Sequence, residues 1–78
     1  MVMYRDFAAR KARGLKLVGE VKNLKDGTVY IIAEGSREAL EQYVGKLKKG
    51  SFLSRVENVS VSWVMSVGEY KSFEIIYA

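Results

Sequence analysis

The stretch from Gly19 to Gly35, G-E-V-K-N-L-K-D-G-T-V-Y-I-I-A-E-G, constrains this chain more than any other. Val18 and Val21 belong to an apolar strand, Lys25-Asp26-Gly27 makes a tight turn, and Val29, Ile31 and Ala33 alternate out of it. The pattern predicts a β-hairpin. Asn23 stands just before the turn, where a side-chain amide at a strand end can project past the sheet edge towards a ligand. The same position also suits asparagine for purely local hydrogen bonds, so residue type alone leaves both roles open.

The remaining elements follow in order. Tyr4, Phe7, Ala8, Lys11 and Ala12 recur at helical spacing, with Gly14 expected at the C-cap. Lys16 to Asn23 reads as a strand in which Gly19 marks a bulge or a close backbone approach. Thr28 to Glu34 is its hairpin partner. Ser36 is an N-cap, Glu38 lies in the first turn, and Leu40, Tyr43, Val44 and Leu47 form the i, i+3, i+4, i+7 stripe of a second helix ending at Lys48-Lys49-Gly50. Val59, Val61 and Trp63 alternate against Asn58, Ser60 and Ser62 in an expected third strand. After a polar bend around Gly68, Phe73, Ile75 and Tyr77 mark a fourth.

The order αββαββ, unbroken by proline, repeat or low-complexity linker, makes residues 1–78 a single domain. It fits an α+β, ferredoxin-like two-layer α/β sandwich, an antiparallel sheet with two helices on one face, provided that the first strand of β-α-β-β-α-β is missing. Met1-Val2-Met3 is too short to supply that strand. A domain of this size buries roughly 60% of its unfolded surface and gains from association. The two strands that would flank the missing one expose unpaired backbone groups, so strand exchange or an edge-to-edge homodimer is expected. The alternative is a monomer in which those two strands pair directly beneath the helices.

Composition narrows the chemistry. The chain has no cysteine and no histidine, which removes disulfides, thiolate nucleophiles, the usual metal ligands and the usual general base. No cofactor is indicated. A net charge of +4 favours an anionic partner such as phosphate, nucleic acid or an acidic protein surface. No apolar run is long enough for a membrane span and no signal-peptide core opens the chain, so the reading is cytoplasmic.

The residues Gly19, Val21, Lys22, Asn23, Gly27, Val29 and Gly35 resemble a signature of the acylphosphatase family, in which a basic residue and asparagine precede a D-G turn and a strand. Glu20 departs from it, standing where the family usually has an aromatic residue. Val2-Met3-Tyr4-Arg5 resembles the end of the family's other signature, V-Q-G-V-x-[FY]-R. Gly14-Leu15, Glu38-Ala39-Leu40, Arg55-Val56-Glu57 and Phe73-Glu74-Ile75 extend the likeness over nearly the whole chain. The resemblance implies hydrolysis of acyl phosphates, with Arg5 binding the phosphoryl group and Asn23 positioning the attacking water. A guanidinium offers paired donors to phosphate oxygens, and a helix N-terminus beside it favours negative charge. The resemblance also implies a phosphate cradle, G-x-V-Q-G, ahead of the first helix. The chain begins after it, with Met1 where its last glycine should be, so very weak turnover or none is expected. Glu20, expected beside the site, would repel phosphate and adds to that expectation.

Arg10, Lys11, Arg13, Lys46, Lys48 and Lys49 are most simply solvated helix faces, and Tyr30, Trp63 and Phe73 are most simply packing residues. Two readings compete with the enzyme. One is a non-catalytic acylphosphatase-like scaffold or interaction module. The other is an RNA-binding module, which shares the element order but would carry a K/R-G-F/Y-G/A-F-V-x-F/Y run that this chain lacks.

Overall fold

A computed structural model describes residues 2–50, 56, 58–66 and 68–77. Its elements are α1 (Val2–Gly14), β1 (Val18–Asn23), β2 (Val29–Glu34), α2 (Arg37–Lys49) and β3 (Phe73–Ile76). The strands form one sheet in the order β2-β1-β3, with β1 antiparallel to β2 and parallel to β3. Helices and sheet make the expected two-layer sandwich, and the sheet is mixed because β3 lies parallel to β1.

The hairpin forms for local reasons. Leu24 N–H donates to the Thr28 carbonyl (2.8 Å), and Gly27 takes a positive φ of 91° at the end of the three-residue turn. Asp26 Oδ1 accepts from the Thr28 hydroxyl (2.6 Å) and the Thr28 N–H (3.0 Å), bonds that hold its carboxyl below the usual range. The ladder runs without a bulge from Val18↔Glu34 to Asn23↔Val29. At Gly19 the second expectation holds: φ is 144°, and a Cβ there would collide with the Ile32 carbonyl.

α1 ends differently from the expectation. Gly14 is in the last helical turn, and the left-handed residue is Lys16, with φ 59°. Leu17 N–H reaches back to the Ala12 carbonyl (2.9 Å) and Lys16 N–H to the Arg13 carbonyl (3.0 Å), the paired bonds of a Schellman motif. Closing the helix in this way uses Lys16 and buries Leu17, so β1 starts at Val18 rather than at Lys16. α2 begins and ends as read: Ser36 Oγ accepts from Ala39 N–H (3.1 Å), and Gly50, with φ 76°, donates to the Lys46 carbonyl.

The expected third strand, Val59 to Trp63, is absent. Residues 58–66 have no regular structure, and among the described residues no backbone hydrogen bond ties them to the sheet. Alternation makes a segment fit for a ladder but cannot supply the neighbour, and the sheet stops at β2. The direct pairing of the two flanking strands therefore does not occur either.

The core lies between the layers. Tyr4, Phe7, Ala8, Ala9 and Ala12 of α1 meet Tyr43 and Leu47 of α2, with Leu17, Val21 and Phe73 beneath them. Two tyrosines fix the helices against each other in antiparallel sense. The Tyr4 hydroxyl donates to the Leu47 carbonyl (2.8 Å) and the Tyr43 hydroxyl to the Ala8 carbonyl (2.9 Å), while the Tyr43 ring meets Phe73 edge-on at 6.2 Å. Each carbonyl gives a partner to a hydroxyl that burial would otherwise strand.

Burial pushes the Tyr4 hydroxyl above its ordinary pKa, and Tyr43 further, by burial and then by the nearby Tyr4. An unfolded chain ionises its tyrosines near pH 10 while the folded chain keeps these two protonated. Their contribution to stability is therefore complete below pH 10 and is lost as pH rises through their folded-state values. Urea denaturation at stepped alkaline pH should show the unfolding free energy falling from about pH 10 upward. Tyr43→Phe should flatten part of that slope and cost about 1 kcal/mol near neutrality through the lost hydroxyl bond. An unchanged slope in the variant would remove Tyr43 as its source.

Candidate active site

The register decides which side chains share a face. Alternation along each strand places Gly19, Val21 and Asn23 of β1 on one side with Ala33, Ile31 and Val29 of β2 and Phe73 and Ile75 of β3. Val21 and Phe73 are buried under the helices, so this is the helix side. Asn23 thus ends β1 on the covered face, at the end where β3 also finishes. Because β1 and β3 are parallel and Lys22 lies opposite Ile76, the next residues, Asn23 and Tyr77, come to the same end of the sheet.

α1 runs the other way across that surface, and two arginines mark its direction. At the start of β3, Arg13 donates to the Phe73 carbonyl through Nε (3.0 Å) and Nη2 (2.8 Å). At the far end, the Arg5 guanidinium lies 4.8 Å from the centroid of the Tyr77 ring. Eight residues of helix rise about 12 Å and four of strand about 13 Å, so the two elements keep pace. The geometry therefore brings Arg5 to the end of the sheet where Asn23 sits, on the same face.

Each of the two has an atom free for a ligand. Arg5 donates from Nε to Asp6 Oδ1 (3.3 Å), and its two Nη groups donate to no described residue. Its side chain is only 13% exposed, so its charge is poorly screened by water. Asn23 Oδ1 is buried and has no hydrogen-bond partner among the described residues. The first turn of α1 holds no acidic residue, and Arg5 lies beside that turn with Asp6 as its ion-pair partner. A cation with open donors, a helix N-terminus and an unfilled acceptor suit a small anion that arrives with a water molecule.

Glu20 lies elsewhere. It alternates onto the opposite face of β1, with Glu74 and Ile32 as its cross-strand neighbours. There it meets Tyr70, whose hydroxyl is shifted upward by desolvation, by the carboxylates of Glu20, Glu69 and Glu34, and by its hydrogen bond to Glu20. The expected repulsion of phosphate by Glu20 at the site is therefore corrected: the sheet stands between them. Tyr77, read from the sequence as a strand residue, is the contact that sequence reasoning missed. The parallel β1–β3 pairing is what places it under Arg5, and nothing local signals that pairing. Among the described residues no group of three acidic, His or Cys side chains is placed to hold a metal ion.

The family model that matches the chain is Acylphosphatase, over residues 1–75. An acylphosphatase of Thermus thermophilus is 47% identical over 74 residues, which cover 95% of this chain and 83% of that protein. The crystal structure of an acylphosphatase from Bacillus subtilis superposes with a TM-score of 0.91 at 41% identity, covering 97% of this chain and 84% of that one. The structure of an acylphosphatase from Coxiella burnetii gives a TM-score of 0.88 at 32% identity, covering 96% and 78%.

An unpartnered buried acceptor separates a binding role from a structural one. If Asn23 were a turn-stabilising residue, removing its amide would destabilise the hairpin. Asn23→Ala should instead leave the urea midpoint unchanged or raise stability by up to about 1 kcal/mol, because the substitution deletes a desolvated group that has no bond to lose. A loss above about 1 kcal/mol would assign the amide to the fold.

Proposed function

The chain belongs to the acylphosphatase family, and we propose that Arg5 and Asn23 are the two residues with which it hydrolyses the carboxyl–phosphate bond of acyl phosphates. The observation that carries this reading is the buried, unpartnered Oδ1 of Asn23 at the sheet end that Arg5 also reaches. Arg5 offers its Nη groups to two phosphoryl oxygens as a fork. Asn23 Oδ1 accepts a hydrogen bond from a water molecule and orients one of its lone pairs at phosphorus. As the new P–O bond forms, the bond from phosphorus to the acyl oxygen breaks and its electron pair leaves with the carboxylate. The products are a carboxylate, inorganic phosphate and the proton given up by the water. A carboxylate leaves readily, so orientation and charge stabilisation suffice without an acid, a metal or a covalent nucleophile.

The turnover of these 78 residues is proposed to be very weak. They hold no G-x-V-Q-G run to surround the phosphate with backbone N–H groups. Each preorganised donor of that kind contributes about 10²- to 10³-fold in rate. Arg5 and the N-terminus of α1 replace part of that field but not its enclosure. No helix among the described residues is long and apolar enough to cross a membrane, and the proposed location is the cytoplasm.

As a macromolecular partner we propose a second copy, met at the outer edge of β2. The strand V-Y-I-I-A-E carries no proline, lysine or bulge to guard that edge. Two copies related by a two-fold axis at Ile31 would set Tyr30 opposite Ile32 and Val29 opposite Ala33, with no like charges facing.

The deciding experiment is hydrolysis of benzoyl phosphate by the purified chain beside the Bacillus subtilis relative. The expected rate is at least about 10²-fold below that relative, and Arg5→Ala and Asn23→Ala should each reduce it to the uncatalysed background. Ordinary turnover would overturn the weak reading. Turnover that survives both substitutions would overturn the site. No turnover at all in the unsubstituted chain would favour the non-catalytic scaffold. Sedimentation should show a concentration-dependent dimer, and monomer alone at high concentration would exclude the second copy.

A further inference from the structure

The outer surface of the helix layer holds a second feature that the proposed chemistry does not use. Between α1 and α2 lies an open groove of about 340 Å3, lined by Arg10, Lys11, Gly14, Leu15, Gln42 and Lys46. The lining follows from helical spacing. Arg10 and Gly14 are four residues apart, as are Lys11 and Leu15, and Gln42 and Lys46, so three rows run side by side where the helices pass. At Gly14 a Cβ would meet nothing within 4 Å, and the glycine leaves the groove floor open.

Three basic residues line this groove, and none of its lining residues carries a carboxylate. The ion pairs seen among the described residues, Arg5–Asp6 and Arg37–Glu41, involve none of them. Two of the three are steadied by one ring: the Arg10 guanidinium and the Lys11 ammonium lie 5.9 and 5.7 Å from the centroid of Phe7, which is itself buried. That contact keeps two like charges side by side on one wall while Lys46 faces them from the other helix. Arg10 and Lys46 are exposed and Lys11 is half-buried, so these residues are solvated as expected and also line one concavity.

We propose that this groove is a binding site for a small polyphosphate anion, either free or as the tail of a nucleotide. The groove is small and open to solvent on one side, a shape that suits a compact ligand over a macromolecule. Arginine forks onto phosphate oxygens, lysine supplies a point charge, and cations on both walls call for more than one phosphate group. Gln42 adds an amide that donates or accepts. The lining holds no nucleophile or base, so the site binds and does not react. It shares no residue with the Arg5–Asn23 site, and its occupancy is independent of that site's activity.

The test is isothermal titration calorimetry of the 78-residue chain with inorganic tripolyphosphate at low salt, beside orthophosphate and ATP. One tripolyphosphate should bind per chain, at least about tenfold more tightly than orthophosphate, with affinity falling steeply as salt is added. The double substitution Arg10→Gln, Lys46→Gln should weaken binding by at least about tenfold without lowering the thermal midpoint, since both side chains are exposed. Arg5→Ala should leave it unchanged. ATP equal to tripolyphosphate would identify the phosphate chain alone as the ligand, and tighter ATP binding would identify a nucleotide. Absence of tripolyphosphate binding would overturn the proposal. So would binding that ignores the double substitution, or binding lost in Arg5→Ala, which would place the anion in the other site.

Discussion

Three strands meet at Gly19, and the fold depends on the absence of a side chain there. Its N–H donates to the Ser72 carbonyl (2.9 Å) on the β3 side, while any Cβ would strike the Ile32 carbonyl on the β2 side. With φ at 144°, an L side chain would be strained even in open space. The close approach lets β1 pair with both neighbours, and the parallel partner is the consequential one. Because β3 lies parallel to β1, its end meets the end of β1, and Tyr77 comes to the place where Arg5 descends from α1. Gly19 stands four residues before Asn23 in β1, and through the parallel pairing it also sets where Tyr77 meets Arg5.

What was legible in the sequence is what local chemistry specifies. The hairpin needs a turn, and Asp26 and Gly27 make it within a few residues. The second helix needs a cap and a stripe, and Ser36, Tyr43 and Leu47 provide both. The end of α1 was misplaced for an equally local reason: glycine is the usual left-handed residue, but here Leu17 had to turn inward, and the bonds to Ala12 and Arg13 put the left-handed position at Lys16. The strand read at Val59 to Trp63 failed because a ladder is a property of two segments. Arg5 and Asn23 were visible through a signature, but their meeting at one end of one face was not, since it rests on pairing across most of the chain. The side on which Glu20 lies is legible locally. Glu20 is three residues from Asn23, an odd number, so in an extended strand the two side chains must point to opposite faces.

That parity has an electrostatic result. On the face away from the helices, Glu20 and Glu74 are cross-strand neighbours, and Glu20 and Glu34 both act on Tyr70. The helix side carries Arg5, Arg10, Lys11, Arg13 and the lysines at the end of α2. A modest net charge of +4 therefore conceals a division between the layers. The division is partial, since Lys22 shares the face of Glu20 and Asp6, Glu38 and Glu41 lie on the helices, so an anion meets a bias towards the helix layer.

The buried acceptor of Asn23 fits this picture as a cost borne by the fold. A desolvated oxygen without a partner costs about 1–3 kcal/mol, against a total stability of roughly 4–12 kcal/mol for a domain of this length. Nothing in the hairpin requires that expense: Leu24, Asp26, Gly27 and Thr28 close the turn among themselves. A bound water would remove the penalty by donating to Oδ1, and the strand end would then hold that water on the same face as a half-free guanidinium.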